Sequence, residues 1–256
     1  MNIYGLIGKP LAHSFSRDYF TQKFSAEHIT GAEYRNFEIA SVNEFPALLL
    51  REKELRGLNV TIPYKKEIMP VLNSLETSAV ETGAVNVITI DKSGKTRGFN
   101  TDAGGFGASL IDLGIDNNSK ALVLGTGGSS GAVRFVLRKL NVPYLSVSRD
   151  PQKTGKSIFP ADDANSLISY SDLTKNLMES HHIIINTTPA GMYQNTEKAP
   201  AVPFDLITAE HRIFDLIYNP AETMLMREAA QRGARVQGGL AMLHAQAELA
   251  WTIWNS

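Results

Sequence analysis

The sequence predicts an α/β fold in two parts, and three observations carry that prediction. An apolar run, Ala121-Leu122-Val123-Leu124, enters a glycine cluster, Gly125-Thr126-Gly127-Gly128-Ser129-Ser130-Gly131. Apolar residues at helical spacing follow it: Val133, Val136, Leu137 and Leu140. That order reads as buried strand, tight turn and helix. Strand-like and helix-like segments then alternate on both sides of this turn, the pattern of sheet-and-helix layers. Finally, the first hundred or so residues alternate in the same way without any glycine-rich turn. The expected division is a first α/β domain over residues 1–101 and a doubly wound, Rossmann-like domain beginning at 102.

In the first domain, Ile3 to Ile7 reads as a buried strand ended by Gly8 and Pro10. The loop that follows, through Ser16, is small and polar. Ser14 or Ser16 suits the cap of the next helix, Phe15 to Phe24. Loop hydroxyls at a strand's C-terminal end also suit a polyhydroxylated ligand. Tyr34 to Ile39 alternates as a strand, and Glu44 to Leu55 reads as an amphipathic helix stopped by Gly57. Leu58 to Ile62 is a short strand. Pro63 fits the first turn of a helix that continues over Glu67 to Leu75. Asn59, Thr61 and Lys65 are then candidates for a cleft wall, although on spacing alone Lys65-Lys66 reads more readily as a solvated helix face, the usual fate of adjacent lysines.

The strand Ala84 to Ile90 carries Asn86 inside an apolar run. A buried amide must find partners, protein or ligand. Asp91 to Lys95 is a turn and Thr96 to Phe99 the return strand. Asn100-Thr101-Asp102 precedes an apolar-periodic segment through Leu113, where Thr101 or Asp102 can cap the helix.

In the second domain the glycine turn has a clear physical use. It lets backbone N–H groups approach a diphosphate that side chains would block, and the helix N-terminus adds positive partial charge. The next strand, Tyr144 to Ser148, ends about twenty residues on, where a ribose contact is expected. Ser148-Arg149 stands there, with Lys153 one turn on. Arginine pairs with a 2′-phosphate, which favours NADP over NAD. Asp150 either opposes that phosphate or caps the helix that starts at Pro151.

His182 to Asn186 and Arg212 to Tyr218 read as further strands, followed by a helix from Thr223 to Gln231 and a short strand from Arg235 to Gln237. The loop Asn186 to Met192 is polar. Gly238-Gly239 leads into a helix from Leu240 to Trp254, whose apolar stripe of Leu243, Ala247, Ala250, Trp251 and Trp254 reads as core packing.

Composition narrows the functional classes. The 256 residues are 43% hydrophobic, which supports real cores, and the net charge of −1 argues against a nucleic-acid groove or an anionic-membrane patch. There is no cysteine, so disulfides, thiolate zinc sites and a cysteine nucleophile are excluded, a composition compatible with the cytoplasm. The N-terminus does not read as a signal peptide, and no stretch is long and apolar enough to span a membrane. The six histidines lack metal-ligand spacing, so no metal is expected.

Taken together, six segments resemble the shikimate/quinate dehydrogenase family over nearly the whole chain. They are Gly8-x-Pro10-x-x-His13-Ser14-x-Ser16, Asn59-Val60-Thr61-x-Pro63-x-Lys65, Gly83-Ala84-Val85-Asn86, Gly98-x-Asn100-Thr101-Asp102-x-x-Gly105, Asn186-Thr187-Thr188-Pro189-x-Gly191-Met192 and Gly239-x-x-Met242-Leu243-x-x-Gln246. The resemblance implies reversible reduction of 3-dehydroshikimate to shikimate, usually with NADPH, on the way to chorismate and aromatic amino acids. It pairs Lys65 with Asp102 as the catalytic dyad. It places Ser14, Ser16, Asn59, Thr61, Asn86, Tyr218 and Gln246 with the substrate. Cofactor contacts fall on Gly125, Thr126, Gly127, Gly128, Ser129, Ser148, Arg149, Lys153, Leu216 and Gly239. It also implies that the final helix returns to the first domain, giving a substrate domain of residues 1–101 and 239–256 and an NADP domain of 102–238. A monomer or homodimer is expected.

Two residues depart from the family pattern: Arg17 replaces the usual proline after Ser16, and Asp150 replaces a threonine beside Arg149. The competing readings are a quinate/shikimate dehydrogenase using NAD and a non-catalytic NADP or metabolite sensor, with a two-domain folate dehydrogenase more remote.

Overall fold

A computed structural model describes residues 1–11, 15–110, 114–115, 119–155 and 167–256. The chain divides into two compact units, Met1–Thr101 with Gln246–Ser256, and Asp102–Ala245.

The first unit holds β1 (Asn2–Gly8), α1 (Phe15–Ala26), β2 (Ala32–Glu38), α2 (Phe45–Arg51), β3 (Leu55–Val60), β4 (Ser74–Leu75), α3 (Thr77–Thr82), β5 (Val87–Ile90) and β6 (Thr96–Phe99). Its six-stranded sheet has the order β2-β1-β3-β5-β6-β4. Strand β1 is parallel to both its neighbours, and β5 is antiparallel to β3 and β6. Alternation along β1 sends Ile3 and Ile7 to one core, with Leu48 and Ile68, and Tyr4 and Leu6 to the other, with Phe20 and Phe24. Both faces are covered, which is why β1 reads as a continuous apolar run rather than an alternating one.

Two sequence expectations fail here. The helix expected over Glu44–Leu55 ends at Arg51, and Leu55 already belongs to β3. Gly57 is therefore no helix stop. It lies within the strand, where a Cβ would overlap the Trp254 indole, so its bare backbone admits the ring against the sheet. The helix expected from Pro63 through Leu75 does not form either. The segment is a series of turns, a short 3-10 turn at Met69–Val71 and then β4. Lys65's carbonyl accepts the Val85 N–H at 2.7 Å instead of a helical donor. Pro70 has no N–H to offer the Lys66 carbonyl, which takes the Met69 N–H in a tighter turn.

The second unit holds α4 (Asp102–Ser109), β7 (Ala121–Leu124), α5 (Gly128–Lys139), β8 (Tyr144–Ser148), α6 (Pro151–Gly155), β9 (Leu167–Ser169), α7 (Lys175–Ser180), β10 (Ile183–Asn186), β11 (Arg212–Asp215), α8 (Met224–Ala230) and β12 (Arg235–Gly238). Residues 111–113, the end of the helix expected after Asp102, lie outside the described residues. The sheet order is β12-β11-β10-β7-β8-β9, with every pair parallel. Strand β7 contributes Ala121 and Val123 to a core with α4 and α5, and Leu122 and Leu124 to a core with α7 and α8. Helices thus cover both faces. The order reverses between β7 and β10, and in such sheets ligands bind outside the strand ends at that switch point.

The last helix, α9 (Leu240–Trp254), starts in the second unit, and the chain passes into the first at Gln246. Among the described residues, no helix is long and apolar enough to cross a membrane.

Candidate active site

In the first unit a connected set of amides and hydroxyls gathers at the ends of β1, β3 and β6. Asn86 is its hub and is buried. Its backbone joins two strands: the N–H donates to the Phe99 carbonyl at 3.0 Å and the carbonyl accepts the Val60 N–H at 2.9 Å. Its side-chain oxygen accepts the Thr101 N–H at 2.7 Å, and its amide nitrogen donates to Thr101 Oγ1 at 3.1 Å and to Gln246 Oε1 at 3.3 Å. Asn59 extends the set, donating to the Asn86 carbonyl at 3.4 Å and accepting from the Tyr34 hydroxyl at 2.7 Å. Tyr34 is buried, which raises its phenol pKa, and it also hydrogen-bonds Ser16.

Sequence reasoning missed Tyr34. The available signal was a tyrosine at a core-facing position of an alternating strand, whose hydroxyl needs a partner. Thr61 leaves β3 with its N–H bonded to the Ile7 carbonyl at 2.9 Å, its methyl crowding the Cα of Gly8. Lys65 is half-buried in the turns that follow. Its carbonyl bond to Val85 fixes its backbone one residue away from Asn86. Ser14 lies outside the described residues.

In the second unit the glycine turn has the features a diphosphate needs. Gly125 has φ +100°, and a Cβ there would come within 2.8 Å of Thr188 Cγ2 and 2.9 Å of Thr187 Oγ1. Only glycine meets both demands. Gly127 caps α5 in extended backbone without a side-chain cap, and a Cβ on it would meet nothing within 4 Å. The first turn of α5, which includes Gly128 and Ser129, holds no acidic residue. No side chain of this turn competes for its leading N–H groups or opposes the positive end of the helix dipole. Ser130 Oγ donates to the Gly127 carbonyl at 2.6 Å, steadying the turn. Arg134, also missed in the sequence, is buried behind it and donates to Ser130 Oγ at 3.4 Å and Ser146 Oγ at 3.5 Å.

At the tip of β8, Ser148 is buried while Arg149 and Lys153 are exposed. Asp150 accepts the Lys153 N–H at 3.0 Å, the helix-cap bond that is one of its two sequence readings. Arg149 lies near Tyr170, whose phenol is pushed up to about 12 by burial against the opposing pull of that guanidinium. Leu216 and Gly239 come together. Gly239's N–H bonds the Ile217 carbonyl at 3.0 Å, and a Cβ on Gly239 would overlap the Leu216 carbonyl. Tyr218 is half-buried, and that burial pushes its phenol up. Asp102, the first residue of α4, is buried. Among the described residues no group of three acidic, histidine or cysteine side chains is placed to hold a metal.

Comparison with known proteins points the same way as these motifs. The family described as the shikimate dehydrogenase substrate binding domain matches residues 6–88. A curated shikimate dehydrogenase (NADP(+)) from Carboxydothermus hydrogenoformans is 34% identical over 98% of this chain and 90% of its own. Among solved structures, shikimate 5-dehydrogenase from Thermus thermophilus, in complex with NADP(H) and shikimate, superposes with a TM-score of 0.84 at 30% identity, over 99% of this chain and 93% of that one. Quinate dehydrogenase from Corynebacterium glutamicum, in complex with NAD, gives 0.85 at 27% identity over the same shares. With identity above 30% to curated members over nearly the whole chain, a matching substrate-domain family and structural likeness over 99% of its length, the chain belongs to the shikimate dehydrogenase family.

Proposed function

We propose that this chain is an NADP-dependent shikimate dehydrogenase that reduces 3-dehydroshikimate to shikimate with NADPH and runs the reaction in reverse. The observation that carries the reading is the Asn86 network, in which motif residues far apart in sequence form one hydrogen-bonding surface beside the backbone of Lys65. Such a surface suits a small polyhydroxylated acid. Ser14 and Ser16 are assigned to its carboxylate, and Asn59, Thr61, Asn86, Tyr218 and Gln246 to its hydroxyls.

The second unit fits NADP. Gly125 to Ser129 and the uncapped start of α5 would hold the diphosphate. Ser148, Arg149 and Lys153 would take the 2′-phosphate, and Leu216 and Gly239 the nicotinamide end. The exposed cations Arg149 and Lys153 at that strand tip support NADP over NAD. The bound nicotinamide supplies or accepts the hydride.

Lys65 and Asp102 do the remaining chemistry. During reduction the substrate oxygen gains negative charge. The Lys65 ammonium stabilises that charge and donates the proton, and neutral Lys65 is the base in the reverse direction. Asp102 holds and orients the ammonium. In a coupled pair the proton need not belong to one residue, so the two are assigned as a dyad. The remaining residues orient the ring. A monomer or homodimer in the cytoplasm is the setting that goes with this assignment.

The test is absorbance at the reduced-nicotinamide band with shikimate or quinate, each with NADP or NAD. Turnover of shikimate with NADP above the other three combinations is expected. Preference for quinate with NAD would make the chain a quinate dehydrogenase. Binding of both ligands without turnover would make it a sensor.

A further inference from the structure

Asp215 ends β11 with no exposed surface, paired in register with Asn186 at the end of β10. One oxygen, Oδ1, accepts the Asn186 amide at 2.9 Å and the Ile217 N–H at 3.1 Å. The other, Oδ2, accepts the Thr223 hydroxyl at 2.7 Å. These partners are all neutral. Burial pushes the carboxyl up to about 6, against the pull of those three bonds. A buried acid among neutral partners is a costly way to fill a core, so what it holds in place matters.

Each partner leads to a loop at the C-terminal edge of the sheet. Asn186 Oδ1 accepts both the Thr188 N–H at 2.9 Å and its hydroxyl at 2.7 Å. Thr187 donates its N–H at 2.9 Å and its hydroxyl at 2.7 Å to the carbonyl of Leu124, the residue before Gly125. Thr188's methyl is the group a Cβ on Gly125 would strike. Ile217, held by Asp215, takes the Gly239 N–H on its carbonyl. Thr223 Oγ1 also accepts the Met226 N–H at 3.3 Å, capping α8.

We propose that Asp215 is a positioning residue for the dinucleotide, whose carboxyl fixes the Thr187-Thr188 loop against the Gly125 turn and the Leu216–Tyr218 chain against Gly239. The proposal rests on the reading of the glycine turn as the NADP site. Asp215 acts through these loops and need not touch the cofactor.

Three variants test it, each checked first by thermal melting. Asp215→Ala strands three donors. Asp215→Asn keeps two of them paired, its oxygen accepting from Asn186 and Ile217, and reverses the third link, its amide donating to Thr223 Oγ1. Thr223→Val removes the Oδ2 link together with the Met226 cap, and leaves both Oδ1 bonds in place. Asp215→Ala is expected to raise the NADP KM and Kd about tenfold or more, Asp215→Asn about threefold at most, and Thr223→Val to an intermediate degree, with shikimate KM at saturating NADP changed by less, through Tyr218 alone. A purely structural role would lower the melting point and the active fraction while leaving the NADP KM where it was. Folded Asp215→Ala with wild-type NADP KM overturns the proposal. If that variant does not fold, wild-type NADP KM in Thr223→Val does so. Gly125→Val separates the two layers. If it loses NADP while the Asp215 and Thr223 variants bind normally, the positioning role alone fails. If folded Gly125→Val binds NADP normally, the site reading fails and takes the proposal with it.

Discussion

At the scale of single residues, the backbone of Lys65 is fixed before its side chain does anything. The 2.7 Å bond from Val85 anchors its carbonyl next to the Asn86 hub. Lys65→Ala keeps that backbone bond and removes the ammonium with its alkyl stem. Turnover should fall about 10²- to 10⁴-fold, with shikimate KM changed by no more than a few-fold, in steady-state kinetics. Near-normal turnover would remove Lys65 from the proton transfer. Arg149, exposed at the tip of β8, makes a different prediction. Arg149→Ala should weaken NADP about tenfold or more and leave NAD nearly unchanged, read by titration of both cofactors. Equal losses would mean that Arg149 does not meet a 2′-phosphate. Asn86 was legible because an amide inside an apolar run must be paired somewhere. Tyr34 was not. In an alternating strand it looks like packing, and its partner Asn59 stands on a different strand.

At the scale of elements, the errors share a cause: local pattern was overruled by a distant contact. Gly57 looked like a helix stop because glycine usually punctuates helices. It serves instead to let Trp254, from the far end of the chain, lie on β3 while the indole N–H donates to the Ile88 carbonyl at 3.1 Å. No local window contains that information. The same holds for residues 63–75, where the Val85 N–H takes a carbonyl that a helix would have needed. Gly57→Val should therefore push the indole off the sheet and break its bond to Ile88. The expected cost is about 2–4 kcal/mol, because both the overlap and the lost burial count. Denaturant melts followed by tryptophan fluorescence would check it, and an unchanged midpoint would show that the indole moves aside freely.

At the scale of the whole molecule, the all-parallel sheet was legible in outline because its strands are buried apolar runs ended by glycine, proline or polar loops. The strand order was not, since periodicity carries no information about which strand neighbours which. One consequence of that order is that Asn186 and Asp215 face each other across β10 and β11 and put an ionisable group in the core. Its effect on stability has a definite sign. The folded pKa, about 6, lies above the ordinary value of 3.8. Between those two values the folded chain binds more protons than the unfolded one, so this group's contribution falls as pH rises and its penalty is complete above about pH 6. Half-buried His181 and buried His211, their pKa values lowered by desolvation, act in the opposite sense and cost stability as pH drops below their ordinary 6.5. The net profile mixes the two. Asp215→Asn isolates the first, because the histidine contributions cancel in the difference. Relative to Asp215→Asn, wild type should gain about 1.4 kcal/mol on going from pH 8 to pH 5, measured by urea melts of both proteins across that range. A flat difference would mean that the carboxyl ionises in the core at its ordinary value, and a difference of opposite slope would mean that its three donors outweigh the desolvation.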